Sequence, residues 1–231
     1  MFDIVENVRR VREQVHDAAS RVGRAGDDIV LVAVSKRQNA AAVVAAATAG
    51  ITDFGENYVQ EGAQKRAEAG SDAPGKVWHL IGHLQTNKAN AAVDSFDLIQ
   101  TVDSVRLAAH LERAAAGTGK VQDVLVQLRL GDEPTKTGAD AADRDAVVDA
   151  VLGSAHLRLR GLMGVAPAGE DARPYYAWLR EQLDRLPPEC RNVLSMGMSG
   201  DFETAIEMGA TMVRVGTAIF GPRPSLDQRN H

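Results

Sequence analysis

Eight short runs rich in β-branched and apolar residues recur along this 231-residue chain, with stretches of helical character between them. The runs are IVLVAV, ITDFG, VWHLIG, FDLIQTV, DVLVQLRL, LRLRGLMGV, NVLSMGM and TMVRVGTAIF. Intervening segments such as NAAAVVAAATAG, SVRLAAHLERAAAG and DAADRDAVVDAVLG open at Asn, Ser or Asp and close at Gly, as helix capping requires. Regular β-then-α alternation implies parallel strands joined by right-handed crossovers. Eight strands are more than an open doubly wound sheet usually holds, so the pattern predicts an α/β fold closed into one (β/α)8 TIM barrel. The length suits such a barrel without large insertions, and residues 1–231 are expected to form a single domain.

The first segment carries Ile4, Val5, Val8, Val11, Val15, Ala18, Ala19 and Val22, the spacing of a helix with one buried stripe, and Gly23 is placed to end it. Few residues follow the eighth run, so this N-terminal helix is expected to cover the side of the barrel that lacks a final helix.

A net charge of −5 gives no electrostatic reason to hold nucleic acid or an anionic membrane surface. The single cysteine, Cys190, excludes an intrachain disulfide, and no Cys/His spacing resembles a zinc site, so no metal is expected. The N-terminus mixes charges throughout, unlike a secretory signal, and no apolar run is long enough to span a bilayer. A reducing cytoplasm is the expected location.

Within the first run, Val30, Val32, Val34 and Lys36 share one face by the period of two, which carries Lys36 to the C-terminal rim. Active sites of this fold lie on that rim, where partial burial turns a lysine into a nucleophilic amine. From position alone, a solvated lysine starting a loop is the commoner outcome. Near the other end, Ser199, Gly200 and Asp201 lead from the seventh run into a helix, and Gly216 and Thr217 follow the eighth. Turns of this kind expose backbone N–H groups, and the loops after strands seven and eight are the usual phosphate site of the fold. Each is weak alone; at these two strands they suit one phosphate cup. Arg214 faces the same side as Gly216 and needs an acceptor in the barrel interior, either a pyridine nitrogen or an acidic neighbour in an ion pair.

Other signals carry less. GTGK at 117–120 lacks the first glycine and the hydroxyl of a nucleotide P-loop, since Ala114 and Val121 stand there. His79 shares a face with Ile81 and His83, where a satisfied core histidine is the commoner result. Tyr58 could line the mouth or simply pack.

The segments LVAVSK, FGENYVQE, WHLIGHLQTNK, VDS, EPTKTG, RGLMGVAP and LSMGMSGDFETAIEMGATMVRVGTAIFG stand in the order and spacing of one family across nearly the whole chain. The chain resembles the pyridoxal-phosphate homeostasis proteins, also called proline synthetase co-transcribed homologues. That resemblance implies a fold-type III barrel like the N-terminal domain of alanine racemase. It implies pyridoxal 5′-phosphate held covalently on Lys36 as an internal aldimine, with Ser199, Gly200, Gly216 and Thr217 on the phosphate. Arg214 would face the ring nitrogen and Asn57 would lie beside the cofactor, with Gly82 and Met196 as further neighbours. Glu133, Lys136 and Gly138 match the family pattern in a rim loop after the fifth run. His83 stands where many relatives have proline, and MGVAP is one variant of its motif.

Racemisation on this cofactor needs acid/base groups on both faces of the substrate. In alanine racemase the second comes from a C-terminal β domain of the partner subunit. This chain stops at His231, and its tyrosines, Tyr58, Tyr175 and Tyr176, have no clear claim to the role. The expectation is therefore a cytoplasmic carrier, a monomer or weak dimer, that buffers the cofactor or delivers it to apoenzymes. A low-rate amino-acid racemase and a Schiff-base aldolase acting on a phosphorylated substrate are the alternatives.

Overall fold

The computed structural model describes residues 3–131 and 137–222. The expected alternation is realised as a closed barrel in which all eight strands are parallel and neighbours in sequence are neighbours in space. Strands β1 (Val30–Val34), β2 (Asp53–Glu56), β3 (Val77–Leu80), β4 (Leu98–Val102), β5 (Gln122–Arg129), β6 (Leu157–Val165), β7 (Val193–Ser195) and β8 (Met212–Val215) form the wall. Closure is direct: β8 pairs with β1 through Val30↔Met212, Leu31↔Val213, Val32↔Arg214 and Ala33↔Val215.

Outside lie α1 (Ile4–Arg21), α2 (Ala40–Thr48), α3 (Val59–Ala69), α4 (Ala89–Ser95), α5 (Val105–Thr118), α6 (Arg144–Leu152), α7 (Arg173–Asp184), α8 (Phe202–Glu207) and α9 (Thr217–Phe220). Capping follows the sequence. The Asn39 side chain accepts from Ala42 N at 2.9 Å and Ser104 Oγ from Leu107 N at 3.3 Å, each satisfying a helix N–H that has no intrahelical partner. Gly119 closes α5 in the left-handed conformation, so GTGK is a helix terminus.

Apolar side chains divide between two places. Val32, Leu98, Leu125, Met163 and Met212 fill the barrel interior. A larger cluster, including Ala33, Phe54, Leu80, Val124, Leu162 and Val213, fills the layer between strands and helices. The pleat explains the split, because successive strand residues point to opposite faces.

Helix α1 does cover the seam. Its buried face, Val8, Val11, Val15, Ala18 and Ala19, repeats at three- and four-residue spacing, and the helix packs against α8, α9 and α2. Asn7 Nδ2 donates to Ile219 O at 3.0 Å, and Arg24 Nη1 to Ala210 O at 2.8 Å, so polar bonds fix both ends of that packing. One run is shorter than its sequence suggests. TMVRVGTAIF is strand only to Val215, after which Gly216 O accepts from the N–H groups of Ile219 and Phe220 at 2.9 Å and starts α9. Apolar composition alone does not separate a buried strand from a buried helical turn.

Candidate functional site

Strand β1 ends at Val34, and Lys36 lies in the turn that follows rather than on the strand. The alternation therefore carries only as far as Val34, with Val32 in the barrel interior, and Lys36 is half-buried at the C-terminal rim. Ser35 N donates to Gly55 O at 3.1 Å and Gln38 N to Ser35 O at 2.9 Å, which ties the turn to β2 and closes it. Arg37 adopts φ 63°, a left-handed conformation rare outside glycine.

Beneath this turn lies a buried ionic cluster that the sequence reading missed. Lys65 Nζ donates to Ser35 O and Glu56 Oε1, each at 2.6 Å, and to Glu61 Oε1 at 3.0 Å. Ser35 Oγ also donates to Glu56 Oε1, at 2.6 Å. Burial pushes the Glu56 carboxyl above the ordinary range, against the opposing pull of Lys65 and Ser35, and its Oε2 has no partner. The one signal in the sequence is Glu61 and Lys65 at i,i+4 spacing, which is common on exposed helices.

The loops after β7 and β8 meet as expected. Ser199 Oγ accepts from Gly216 N at 3.2 Å and from Ala218 N at 3.4 Å. Two backbone amides at the start of α9 thus converge on one oxygen. Asp201 shapes the loop, accepting from Met198 N at 2.6 Å through one oxygen and from the Tyr176 hydroxyl at 2.6 Å through the other. Burial first, then that bond to Asp201, pushes the Tyr176 phenol well above its ordinary value. Gly200 and Thr217 are exposed and Ser199 and Gly216 half-buried, so the cup opens to solvent. A Cβ on Gly216 would lie 3.2 Å from Val34 O, which sets the cup beside the strand that leads to Lys36. Ser199, Gly200 and Ala218 also border a cleft of about 640 Å³ with Arg10, Arg21 and Arg173 on its other walls. Ion pairs to Glu203 and Glu207 offset part of that positive charge.

Arg214 is buried, and its bonded acceptors are neutral, not the acidic neighbour of an ion pair. Nη1 donates to Ser195 Oγ at 2.7 Å and Nη2 to Gly164 O at 2.9 Å. Loss of solvent lowers its pKa to about 10, against the pull of Tyr176 and Asp201, so it stays charged at neutral pH. From Ser195 a polar chain continues across the interior. Ser195 Oγ donates to Gln100 Oε1 at 2.7 Å, Gln100 Nε2 faces His79 Nδ1 at 3.0 Å, and His79 Nε2 faces Asp53 Oδ1 at 2.8 Å. His79 is therefore a satisfied core histidine directed toward the start of β2, away from the rim.

Asn57 follows β2 at the mouth, half-buried, and Gly82 lies against it. A Cβ at Gly82 would come within 2.2 Å of Asn57 O, so only glycine allows these loops to touch. Met196 is fully buried among the residues between strands and helices; with Ser195 pointing inward, the pleat turns its side chain away from the interior. His83 is exposed, with Nδ1 3.6 Å from Asp103 Oδ2, and Tyr58 is exposed at the start of α3. Gly138, at φ 130°, sits beside β5, where Ala139 exchanges backbone bonds with Gln127 and Arg129. Glu133 and Lys136 lie outside the described residues. Lys36, Asn57, Ser199, Gly200, Gly216 and Thr217 thus gather at the C-terminal mouth, with Arg214 buried below them.

Comparison with known proteins gives a consistent picture. The family model for the alanine racemase N-terminal domain matches residues 4–224. The pyridoxal phosphate homeostasis protein of Escherichia coli K12 is 40% identical, the match covering 96% of this chain and 98% of that protein. Its namesake from Pseudomonas aeruginosa is 42% identical over 96% and 97% of the two chains. PipY of Synechococcus elongatus, whose structure was solved with PLP bound, superposes with a TM-score of 0.82 at 38% identity, covering 94% of this chain and all of that one. A shared barrel, motifs that meet at one mouth and full-length similarity at this level make the chain a member of the pyridoxal phosphate homeostasis protein family.

Proposed function

We propose that this protein binds pyridoxal 5′-phosphate at the C-terminal mouth, attached covalently through Lys36, and stores or delivers it rather than turning over a substrate. The observation that carries this reading is the convergence of Gly216 N and Ala218 N on Ser199 Oγ beside the turn that bears Lys36. A hydroxyl oxygen already sits where one phosphate oxygen would accept, so the donor set fits the group. The bound cofactor supplies an aldehyde that a lysine amine can capture and a pyridine ring that can act as an electron sink.

This chain's residues favour holding it over using it. Ser199, Gly200, Gly216 and Thr217 would hold the phosphate, and Asn57 would lie beside the ring. Arg214, charged at neutral pH, would face the ring nitrogen and disfavour its protonation, which would weaken the ring as an electron sink. Of the three tyrosines, Tyr176 is buried with its hydroxyl committed to Asp201, Tyr175 gives its hydroxyl to Glu170, and Tyr58 is exposed at the start of α3 with no side-chain hydrogen bond among the described residues to fix its aim. Relatives named for homeostasis of the cofactor, and one solved with it bound, support the same reading. The role is that of a cytoplasmic buffer or donor to apoenzymes.

The test is the visible spectrum of purified protein after addition of pyridoxal 5′-phosphate, then borohydride reduction and peptide mapping. A yellow protein with the reduced adduct on Lys36 supports the proposal. Protein that takes up no cofactor refutes it, and steady racemisation of alanine or serine dependent on Lys36 refutes the carrier role.

A further inference from the structure

The two peptide groups that flank Lys36 are both held by side chains of one helix. The carbonyl before it, Ser35 O, accepts from Lys65 Nζ at 2.6 Å. The amide after it, Arg37 N, donates to Glu61 Oε1. Glu61 and Lys65 lie four residues apart on α3 and bond to each other at 3.0 Å, so the grip forms one unit.

This grip acts on a strained segment. Arg37 has φ 63°, and a non-glycine residue persists there only when its surroundings over-determine it. Glu61 supplies an acceptor at that residue's own amide. Deeper in, Lys65 is buried, and the three hydrogens of its ammonium meet Ser35 O, Glu56 Oε1 and Glu61 Oε1. With every hydrogen engaged, Lys65 is not a rival amine for the cofactor. Its position is fixed in turn by Glu56, which the hydroxyl of Ser35 also binds.

We infer that Glu61 and Lys65 are positioning residues for Lys36: they fix the peptide planes on either side of it and so aim its amine at the cofactor aldehyde. The inference rests on the proposed covalent role of Lys36. In that step Lys36 Nζ, unprotonated, gives its electron pair to a new bond with the aldehyde carbon. The aldehyde oxygen then leaves as water, carrying both amine hydrogens. Orientation matters here because Lys36 has a long flexible stem, and a misplacement of about 1 Å can cost a hundredfold in rate. The phosphate cup is built on other elements, α9 and the loop after β7, so aim and affinity are separable.

Glu61→Ala tests this, since Glu61 is 27% exposed and its loss leaves the Lys65–Glu56 pair in place. Capture of pyridoxal 5′-phosphate is followed by absorbance, and binding of pyridoxine 5′-phosphate, which has the same phosphate but no aldehyde, by calorimetry. The expected result is capture slowed on the order of tenfold with unchanged affinity for pyridoxine 5′-phosphate, and partial recovery in Glu61→Gln. Equal loss of both, or loss of neither, overturns the inference while leaving the function intact. A wild-type protein that binds pyridoxine 5′-phosphate but never captures the aldehyde removes the covalent role and the inference together.

Discussion

Arg214 Nη1 donates to Ser195 Oγ across 2.7 Å, and this contact starts a polar chain through the barrel interior. Ser195 has one hydroxyl hydrogen, which goes to Gln100 Oε1, so its oxygen is left to accept from the guanidinium. With Gln100 Oε1 taken, its amide nitrogen is left to donate to His79 Nδ1 at 3.0 Å, which selects the tautomer whose Nε2–H donates to Asp53. Every link points the same way, from the Arg214 cation to the Asp53 anion, two residues that both register with Val32 on the strand between them. Each bond in such a chain polarises the next, so the buried polar groups along it support one another.

Replacing Ser195 with Ala cuts this chain at its first link. The substitution orphans two buried groups, Arg214 Nη1 and Gln100 Oε1, which should cost about 1–3 kcal/mol. Denaturant unfolding of the variant measures it. A loss below about 0.5 kcal/mol, the range of neutral surface changes, would mean that Arg214 draws nothing from the chain.

Asp53 sets a pH dependence whose sign follows from its shift. Burial opposes ionisation, but the bonds from His79 and Thr52 outweigh it and hold the carboxyl below its ordinary 3.8. The unfolded state then binds the proton more tightly. The stabilisation is fully present above 3.8 and is lost as pH falls through the depressed value. Asp53→Asn should cost about 1–2 kcal/mol at neutral pH, and its deficit should shrink in acid as the wild type becomes protonated. A deficit independent of pH would assign the loss to packing instead.

Lys36→Ala should abolish the coloured adduct and leave the fold alone. The bonds that hold its turn go to the backbone, Ser35 O and Arg37 N, and the phosphate cup is formed by Ser199, Gly216 and Ala218. Unfolding free energy within about 0.5 kcal/mol of wild type is expected, with pyridoxine 5′-phosphate still bound. Loss of cooperative unfolding would give Lys36 a structural role.

The places of Lys36, Ser199 and Gly216 in the loops after β1, β7 and β8 are legible in the sequence, because strand alternation and glycine turns mark where those loops begin. Arg214 was half readable: its inward direction follows from the period of two, but its partners do not. Asp53, His79, Gln100 and Ser195 come from four strands far apart in sequence, and only closure of the barrel puts them in line. A buried Gln or Ser within an apolar run gives no local sign of its neighbour. Met196 shows the opposite limit, since lying next to a motif says nothing about which side of the pleat a side chain takes.

Gly82→Ala should damage the mouth without touching a ligand-binding side chain. The added methyl would lie 2.2 Å from Asn57 O and 2.7 Å from Asn57 C and Cα, all backbone atoms, so no rotamer change can relieve it. The loop after β2 or that after β3 must shift. On the β3 side, Gly82 is also held at its carbonyl by Thr101 Oγ1 at 3.0 Å from β4, which resists movement there. Asn57 is the other partner in the contact, and it flanks the proposed cofactor site. Overpacking of this kind costs about 1–3 kcal/mol, and displacement of Asn57 should weaken pyridoxine 5′-phosphate binding as well. Calorimetry and unfolding on the same protein separate the two effects. A variant that loses stability but keeps full affinity would show that Asn57 lies too far from the ligand to matter.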